Sequence, residues 1–360
     1  MKKGIYLVYD SLDLEHPDGI ERKIISQKEA IESIPAHVDF HVLKRVNGTY
    51  WNYEPIFSGY DFVYFRKGTI DWRLEKYLRK IKLENPNMII YMDIPTYPYE
   101  GEMGAGFKAN VKRLIDKVFR ERLYRYIDRI VVTGSNIESS LWNIKVVNIV
   151  NGINMDEINI RKVTNKKNES VLTISCIARF SPWHGYERLI RGLASYYNTG
   201  GTRDIKVLMV GQGSEIEMYK ELVQKNKLDD RIIFTGQLLG EQLEEIYDLT
   251  DIGCCSLGRY KSGLDVIGDL KSREFMAKGI PMICGCNIDV LENTEYPYVV
   301  QFPNDSSEID FKHLIDYYDS LIERFSIDEL TEAIRLRARD LVDFRKTFSP
   351  VINELKEQLS

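Results

Sequence analysis

Glu274 is the residue whose setting points most directly to chemistry. In the string GRYKSGLDVIGDLKSREFMAKGIPMICGC, residues 258–286, it stands near the start of a short helical stretch that Lys278-Gly279 closes and an apolar strand follows from Pro281. A strand, a glycine-containing loop, a helix with one acid and a further strand is how an α/β sheet holds a nucleotide. The helix N-terminus faces the phosphates, and the carboxylate accepts hydrogen bonds from ribose hydroxyls. Taken alone, a Glu in the charged run KSRE is usually just a solvated helix residue. Its company argues for more. Arg179 ends the apolar run before Phe180-Ser181-Pro182-Trp183-His184-Gly185, where a guanidinium can hold a phosphate bidentately and the next helix start adds backbone N–H donors. Gly211-Gln212-Gly213-Ser214 closes the following strand, and its glycines let the backbone approach a ligand closely or simply make a turn.

Two features of the first half also offer chemistry. The segment Tyr91-Met92-Asp93-Ile94-Pro95-Thr96-Tyr97-Pro98-Tyr99-Glu100 sets an acid at a strand end and then a rigid aromatic loop. Carbohydrate sites favour fixed carboxylates and aromatic faces, so Asp93 is the candidate for orienting an acceptor hydroxyl, with Thr96, Tyr97 and Tyr99 beside it. The competing reading is a strand-capping Asp with packing tyrosines. Residues 107–130 carry eight Lys or Arg against three acids, interleaved with apolar residues at helical spacing. Such a helix either lies on anionic lipid or presents a solvated face over its own core.

The elements that must position these groups follow from pattern. At 360 residues the chain suits two domains. Its 44% hydrophobic and 29% charged residues are those of a soluble globular protein, and the net charge of −5 argues against general nucleic-acid binding. The five cysteines, Cys176, Cys254, Cys255, Cys284 and Cys286, lie in apolar runs without zinc spacing and read as reduced core residues. No apolar run reaches the length of a signal-peptide core or a membrane span, so the expected location is cytoplasmic, with possible peripheral contact at the inner membrane face.

Short β-rich runs alternate with amphipathic stretches, which predicts parallel sheets with helices on both faces. Strands are expected at Ile5–Tyr9, Phe40–Lys44, Phe62–Arg66, Met88–Asp93, Arg129–Thr133 and Val146–Val150. A second series is expected at Val171–Ile177, Lys206–Val210, Ile232–Phe234, Ile252–Ser256, Pro281–Cys284 and Val299–Phe302. Asn151-Gly152 reads as a turn, and the polar run that follows reads as a linker. The expected division is a first domain at 1–153, a linker at 154–170, a second domain at 171–342 and a C-terminal helix at 343–360 that returns to the first domain. Pro350 is expected to start or kink that helix. Facing domains of this kind would set the carboxyl ends of both sheets on one cleft, where open α/β sheets bind ligands.

In order along the chain come Arg179 with His184-Gly185, VLMVGQGSE, RIIFTGQL, Ile246-Tyr247 before a strand ending in Ser256, and Glu274 with Gly279-Ile280-Pro281. This order resembles the C-terminal domain of the family 4 retaining glycosyltransferases of the GT-B fold. Asp18-Gly19-Ile20-Glu21 resembles that family's N-terminal glycine-rich loop. The resemblance implies an α/β fold of two Rossmann-like doubly wound domains and a retaining, metal-independent transfer from a nucleotide-sugar, a UDP-sugar foremost. The acceptor would be a glycan or lipid-linked, as in surface polysaccharide or glycoconjugate assembly. It implies Arg179 on the donor diphosphate, Glu274 on the ribose, and the backbone around Gly19, Gly211 and Gly213 near the phosphates, with no bound cofactor.

The chain departs from the family pattern twice. His184 stands where a lysine is usual, with Lys271 the candidate for the missing charge. Val266 stands where a first Glu is common, between Asp265 and Asp269. A nucleotide-sugar epimerase of the same fold and a non-catalytic subunit that binds a glycan or a partner enzyme remain open. A nicotinamide dehydrogenase is disfavoured, because no Gly-x-Gly-x-x-Gly turn follows the first strand.

Overall fold

A computed structural model describes residues 2–9, 11–12, 19–46, 50–51, 57–68, 70, 72–95, 97, 99, 106–134, 137–163 and 171–359. They form two compact units, residues 1–151 with 347–360, and residues 152–346.

The first unit is built on β1 (Lys2–Tyr9), α1 (Gly19–Glu32), β2 (Ala36–Leu43), β3 (Phe62–Arg66), α2 (Trp72–Glu84), β4 (Ile89–Ile94), α3 (Phe107–Tyr124), β5 (Arg129–Thr133), β6 (Ser140–Leu141) and β7 (Ile144–Ile149). The strand order is β2-β1-β3-β4-β5-β7-β6, parallel throughout except for the antiparallel β6–β7 pair at one edge. Central strands of such a sheet are covered on both faces, which is why β1 buries Ile5, Tyr6, Leu7 and Val8 in succession. The helix α2 covers one face with Leu74, Tyr77, Leu78 and Ile81, spaced to fall on a single stripe.

The second unit repeats the plan with β8 (Leu172–Ile177), α4 (Glu187–Asn198), β9 (Ile205–Val210), α5 (Ile216–Lys225), β10 (Ile232–Gly236), α6 (Glu241–Leu249), β11 (Ile252–Cys254), α7 (Leu270–Lys278), β12 (Met282–Cys284) and β13 (Val299–Gln301). Its order, β10-β9-β8-β11-β12-β13, is parallel at every pair, with α8 (Phe311–Ile322) and α9 (Ile327–Leu341) completing the layers. All five cysteines are buried and unpaired in this unit.

After the short α10 (Phe344–Thr347), α11 (Ser349–Leu359) carries Pro350 in its first turn, where a missing N–H costs nothing. It packs on the first unit. Its buried Glu354 accepts hydrogen bonds from Arg129 Nε at 2.5 Å and Lys145 Nζ at 2.6 Å, one from β5 and one from β7.

The stretch expected as a linker differs in its first half. Met155 is fully buried in the second unit's core, and buried Arg161 donates to the Thr250 carbonyl and to Thr331 Oγ1 at 3.0 Å. Residues 154–163 are therefore part of the second unit. One apolar anchor and one multiply bonded guanidinium outweigh the polar composition around them. Residues 164–170 lie outside the described part.

Candidate active site of the second unit

The carboxyl ends of β8, β9 and β10 border a cavity of about 650 Å³ lined by Ile177, Ala178, Arg179, Val210, Gly211, Gln212, Gly213, Gln237, Leu238 and Leu239. This is where an open parallel sheet offers room for a ligand. The floor depends on Gly211, whose φ is 132° and whose missing Cβ would lie 1.9 Å from the Ala178 carbonyl oxygen. Two backbone bonds lock the loops together there, Ala178 N–H to Val210 O at 3.0 Å and Phe180 N–H to Gln212 O at 2.7 Å. Arg179, exposed, follows β8 directly and reaches the cavity from its strand end. Of the expected donor-binding residues, Arg179, Gly211 and Gly213 line this one space.

His184 occupies a single 3₁₀ turn, Pro182–His184, three residues ahead of α4 rather than within the helix's first turn. Gly185 makes the sharp exit possible. Its φ is 65°, and a Cβ there would meet the Gly258 nitrogen at 2.4 Å. The Ser181 N–H donates to His184 Nδ1 at 3.0 Å, so the neutral ring carries its proton on Nε2. Burial, with the positive charges of Lys271 and Arg259, pushes the His184 imidazole down to about 3. His184 is thus a neutral donor and supplies no cationic charge.

Lys271 and Glu274 lie three residues apart on α7, a helix held at both ends. Asp269 caps its start by accepting from Ser272 N–H at 3.1 Å, and Gly279, with φ of 76°, ends it. The inward face buries Ser272, Arg273, Phe275, Met276 and Ala277, with Arg273 paired to Asp289. Lys271 Nζ donates to Tyr186 Oη at 3.1 Å, and Tyr186, stacked against the His184 ring at 5.5 Å, donates in turn to the Cys254 carbonyl. Glu274 Oε2 accepts from Tyr247 Oη at 3.0 Å. Burial pushes the Glu274 carboxyl up from its ordinary value, against the Tyr247 hydrogen bond and the Lys271 charge. Lys271 and Asp269 both act on His184 and on Glu274, the ammonium favouring the neutral imidazole and the ionised carboxyl and the carboxylate opposing it at each. These three side chains form a second group, and none of them lines the glycine-floored cavity. Val266 lies in a two-residue parallel ladder with Asn287.

Sequence reading missed Tyr186 and Tyr247 as the groups that hold Lys271 and Glu274. Both stand in or beside strings it singled out, but their partners are 85 and 27 residues away. Gln237 and Leu238, within RIIFTGQL, prove to be cavity walls.

The expected acceptor residues belong to the first unit and are placed differently from one another. Asp93 has no exposed surface, and its Oδ2 accepts from Gln27 Nε2 at 3.0 Å, with Gln27 also bound by Tyr6 Oη at 2.6 Å. Asp93 thus ties β4 to α1 through Oδ2, while its Oδ1 is buried without a hydrogen-bond partner. Burial on both sheet faces reaches the strand's next-to-last residue. Tyr99 is likewise buried and donates to Asp116 Oδ2 at 3.0 Å, under the Lys67 ammonium at 3.4 Å from its ring centre. Tyr97 is half-buried against Trp142. Gly19 is the first residue of α1, and Thr96 lies outside the described residues. Among the described residues no cluster of three His, Cys, Asp or Glu side chains is arranged to hold a metal ion.

Residues 156–307 match the family model described as glycosyl transferases group 1. No curated protein matches the sequence. Similar solved structures include a glycosyltransferase from Rickettsia africae, with 15% identity, 100% of this chain and 99% of that chain covered, and a TM-score of 0.64. The sucrose-phosphate synthase of Thermosynechococcus elongatus has 16% identity, the same coverage and a TM-score of 0.61. Anabaena HepE in complex with UDP has 13% identity, 99% and 100% coverage and a TM-score of 0.59. The chain accordingly has the GT-B fold of two Rossmann-like α/β units, and residues 156–307 of its second unit carry the pattern of the glycosyl transferases group 1.

Proposed function

We propose that the protein is a retaining, metal-independent glycosyltransferase that moves a sugar, a hexose by its family pattern, from a UDP-sugar to a glycan or lipid-linked acceptor in surface polysaccharide or glycoconjugate assembly. The observation that carries the reading is the cavity at the carboxyl ends of β8–β10, floored by Gly211 and Gly213 with Arg179 at its edge, inside the matched segment. HepE, of the same fold, is solved with UDP, which favours that nucleotide.

In this reading Arg179 and Lys271 offset the charge that develops on the departing diphosphate, the electrostatic work a metal ion would otherwise do. Glu274 accepts the ribose hydroxyls, with Tyr247 fixing its orientation. His184 is neutral with its proton on Nε2, so of these two side chains it is Lys271 that can supply positive charge. The acceptor falls to the first unit, with Tyr97 the half-buried member of the expected set.

The test is thermal stabilisation by UDP, GDP, ADP and their sugar conjugates, with and without EDTA, on the wild type and Glu274→Ala. UDP at about 100 times its dissociation constant should add about 2.7 kcal/mol, undiminished by EDTA and lost in the variant. No response to any nucleotide would remove the donor assignment. The interior position of Asp93 favours one second reading, a non-catalytic subunit. Nucleotide binding with no sugar released or transferred from any bound donor would select it.

A further inference from the structure

Helix α3 is amphipathic in the direction opposite to a core-covering helix. Its buried residues Ala109, Asp116 and Leu123 fall on one side, and Asp116 is turned inward to Arg120 and the Tyr99 hydroxyl. On the other side Phe107, Val111, Leu114, Ile115 and Val118 are exposed, Phe107 at 83% and Leu114 at 63%. At about 100° per residue these five positions fill a continuous arc of about 100°, centred opposite the buried residues. Exposed Lys108 and Lys112 border the arc on one edge and Arg122 falls on its line one turn past Val118, while Glu121 and Asn110 border the other edge with Lys117 and half-buried Arg113 behind them. A solvated helix would place its charges at the centre of this face. Here five apolar residues hold the centre through the first three turns, with lysines along one edge and an arginine at the C-terminal end of the arc.

From this placement we propose that α3 is a docking surface for an anionic lipid bilayer. The helix lies in the interface with the apolar arc among the acyl chain ends and its lysines and arginines on the lipid headgroups. Charge decides the occupant. Five cations lie on or around the arc against Glu121, the one exposed acid on the helix, which suits a uniformly anionic surface. At about 1.5 Å per residue the 18-residue helix offers a contact about 27 Å long. No helix among the described residues is long and apolar enough to cross a membrane, so attachment through this helix is by its surface alone. The assignment does not depend on the donor reading, since α3 and the nucleotide cavity belong to different units.

The experiment is co-sedimentation of the full chain, without nucleotide, with vesicles of phosphatidylcholine alone or mixed with phosphatidylglycerol. The wild type should sediment with the mixed vesicles and not with the neutral ones, and raised salt should release it. Phe107→Ser with Leu114→Ser should weaken binding at least tenfold, while Leu336→Ser, an equally exposed leucine on α9, should not. Lys112→Gln with Lys117→Gln should cost about fivefold per lysine. All four side chains are exposed, so the variants keep the wild-type melting temperature. Failure of the wild type to bind anionic vesicles would overturn the proposal. So would a self-associating wild type that the serine variant renders monomeric with vesicle binding unchanged, which would make a second copy of the chain the occupant.

Discussion

His184 shows how a single side chain reads differently in sequence and in structure. It stands after Arg179 where a lysine is usual, and its Nδ1 is occupied by the Ser181 N–H while burial pushes it down to about 3. The consequence is a specific acid sensitivity. Between about pH 6.5 and 3 the unfolded chain binds a proton at this ring that the folded chain refuses, so its contribution to stability falls as pH drops through that window. The slope is at most about 1.4 kcal/mol per pH unit. His184→Asn keeps a hydrogen-bond acceptor for Ser181 and removes the titration. The urea midpoint of the variant should therefore decline less between pH 7 and pH 5 than that of the wild type. Equal declines would mean that His184 is protonated in the folded protein.

At the scale of elements, the proposed donor site rests on the junction of β8 with β9. Parallel strands leave room at their carboxyl ends only if the loops that follow can cross closely, and Gly211 allows this by sitting against the Ala178 carbonyl. Gly211→Ala puts a methyl into backbone that no side-chain rotation relieves and forces a φ of 132° on a residue with a Cβ. A loss of about 2 kcal/mol or more in unfolding free energy is expected, together with weaker UDP stabilisation. An alanine variant with wild-type urea midpoint would show that the loops give way easily.

The pattern of apolar runs made Phe62–Arg66 and Arg129–Thr133 legible to the residue, because buried parallel strands are bounded by polar residues. It made the order of Arg179, the glycine loop and Glu274 legible for the same reason. What the pattern lacked was depth and direction. Nothing local distinguishes Asp93, fully buried at its strand end, from an acid that faces solvent, nor shows that the apolar stripe of α3 turns outward. Both depend on neighbours distant in sequence, Gln27 for the first and the packing of Ala109, Asp116 and Leu123 for the second.

The molecule as a whole is two units with separate cores and unequal continuity. The second is one uninterrupted stretch, whereas the first takes its last helix from the far end of the chain. Glu354 is the polar anchor of that helix. Burial would raise its carboxyl, but its bonds to Lys145 and Arg129 hold it below its ordinary value, so the anchor is ionised at neutral pH and is lost as pH falls through that depressed value. Two cores that share no residue should unfold in two steps, and each step can be addressed separately. Glu354→Gln leaves Arg129 and Lys145 without their countercharge and should lower the melting transition of the first unit alone, by about 2 kcal/mol. UDP should raise the transition of the second unit alone, and Glu274→Ala should cancel that rise. Calorimetry of the full chain with and without UDP makes the comparison. If nucleotide lifts both transitions together, or Glu354→Gln lowers both, the units unfold as one cooperative body, and donor binding in one unit is coupled to the stability of the unit assigned to the acceptor.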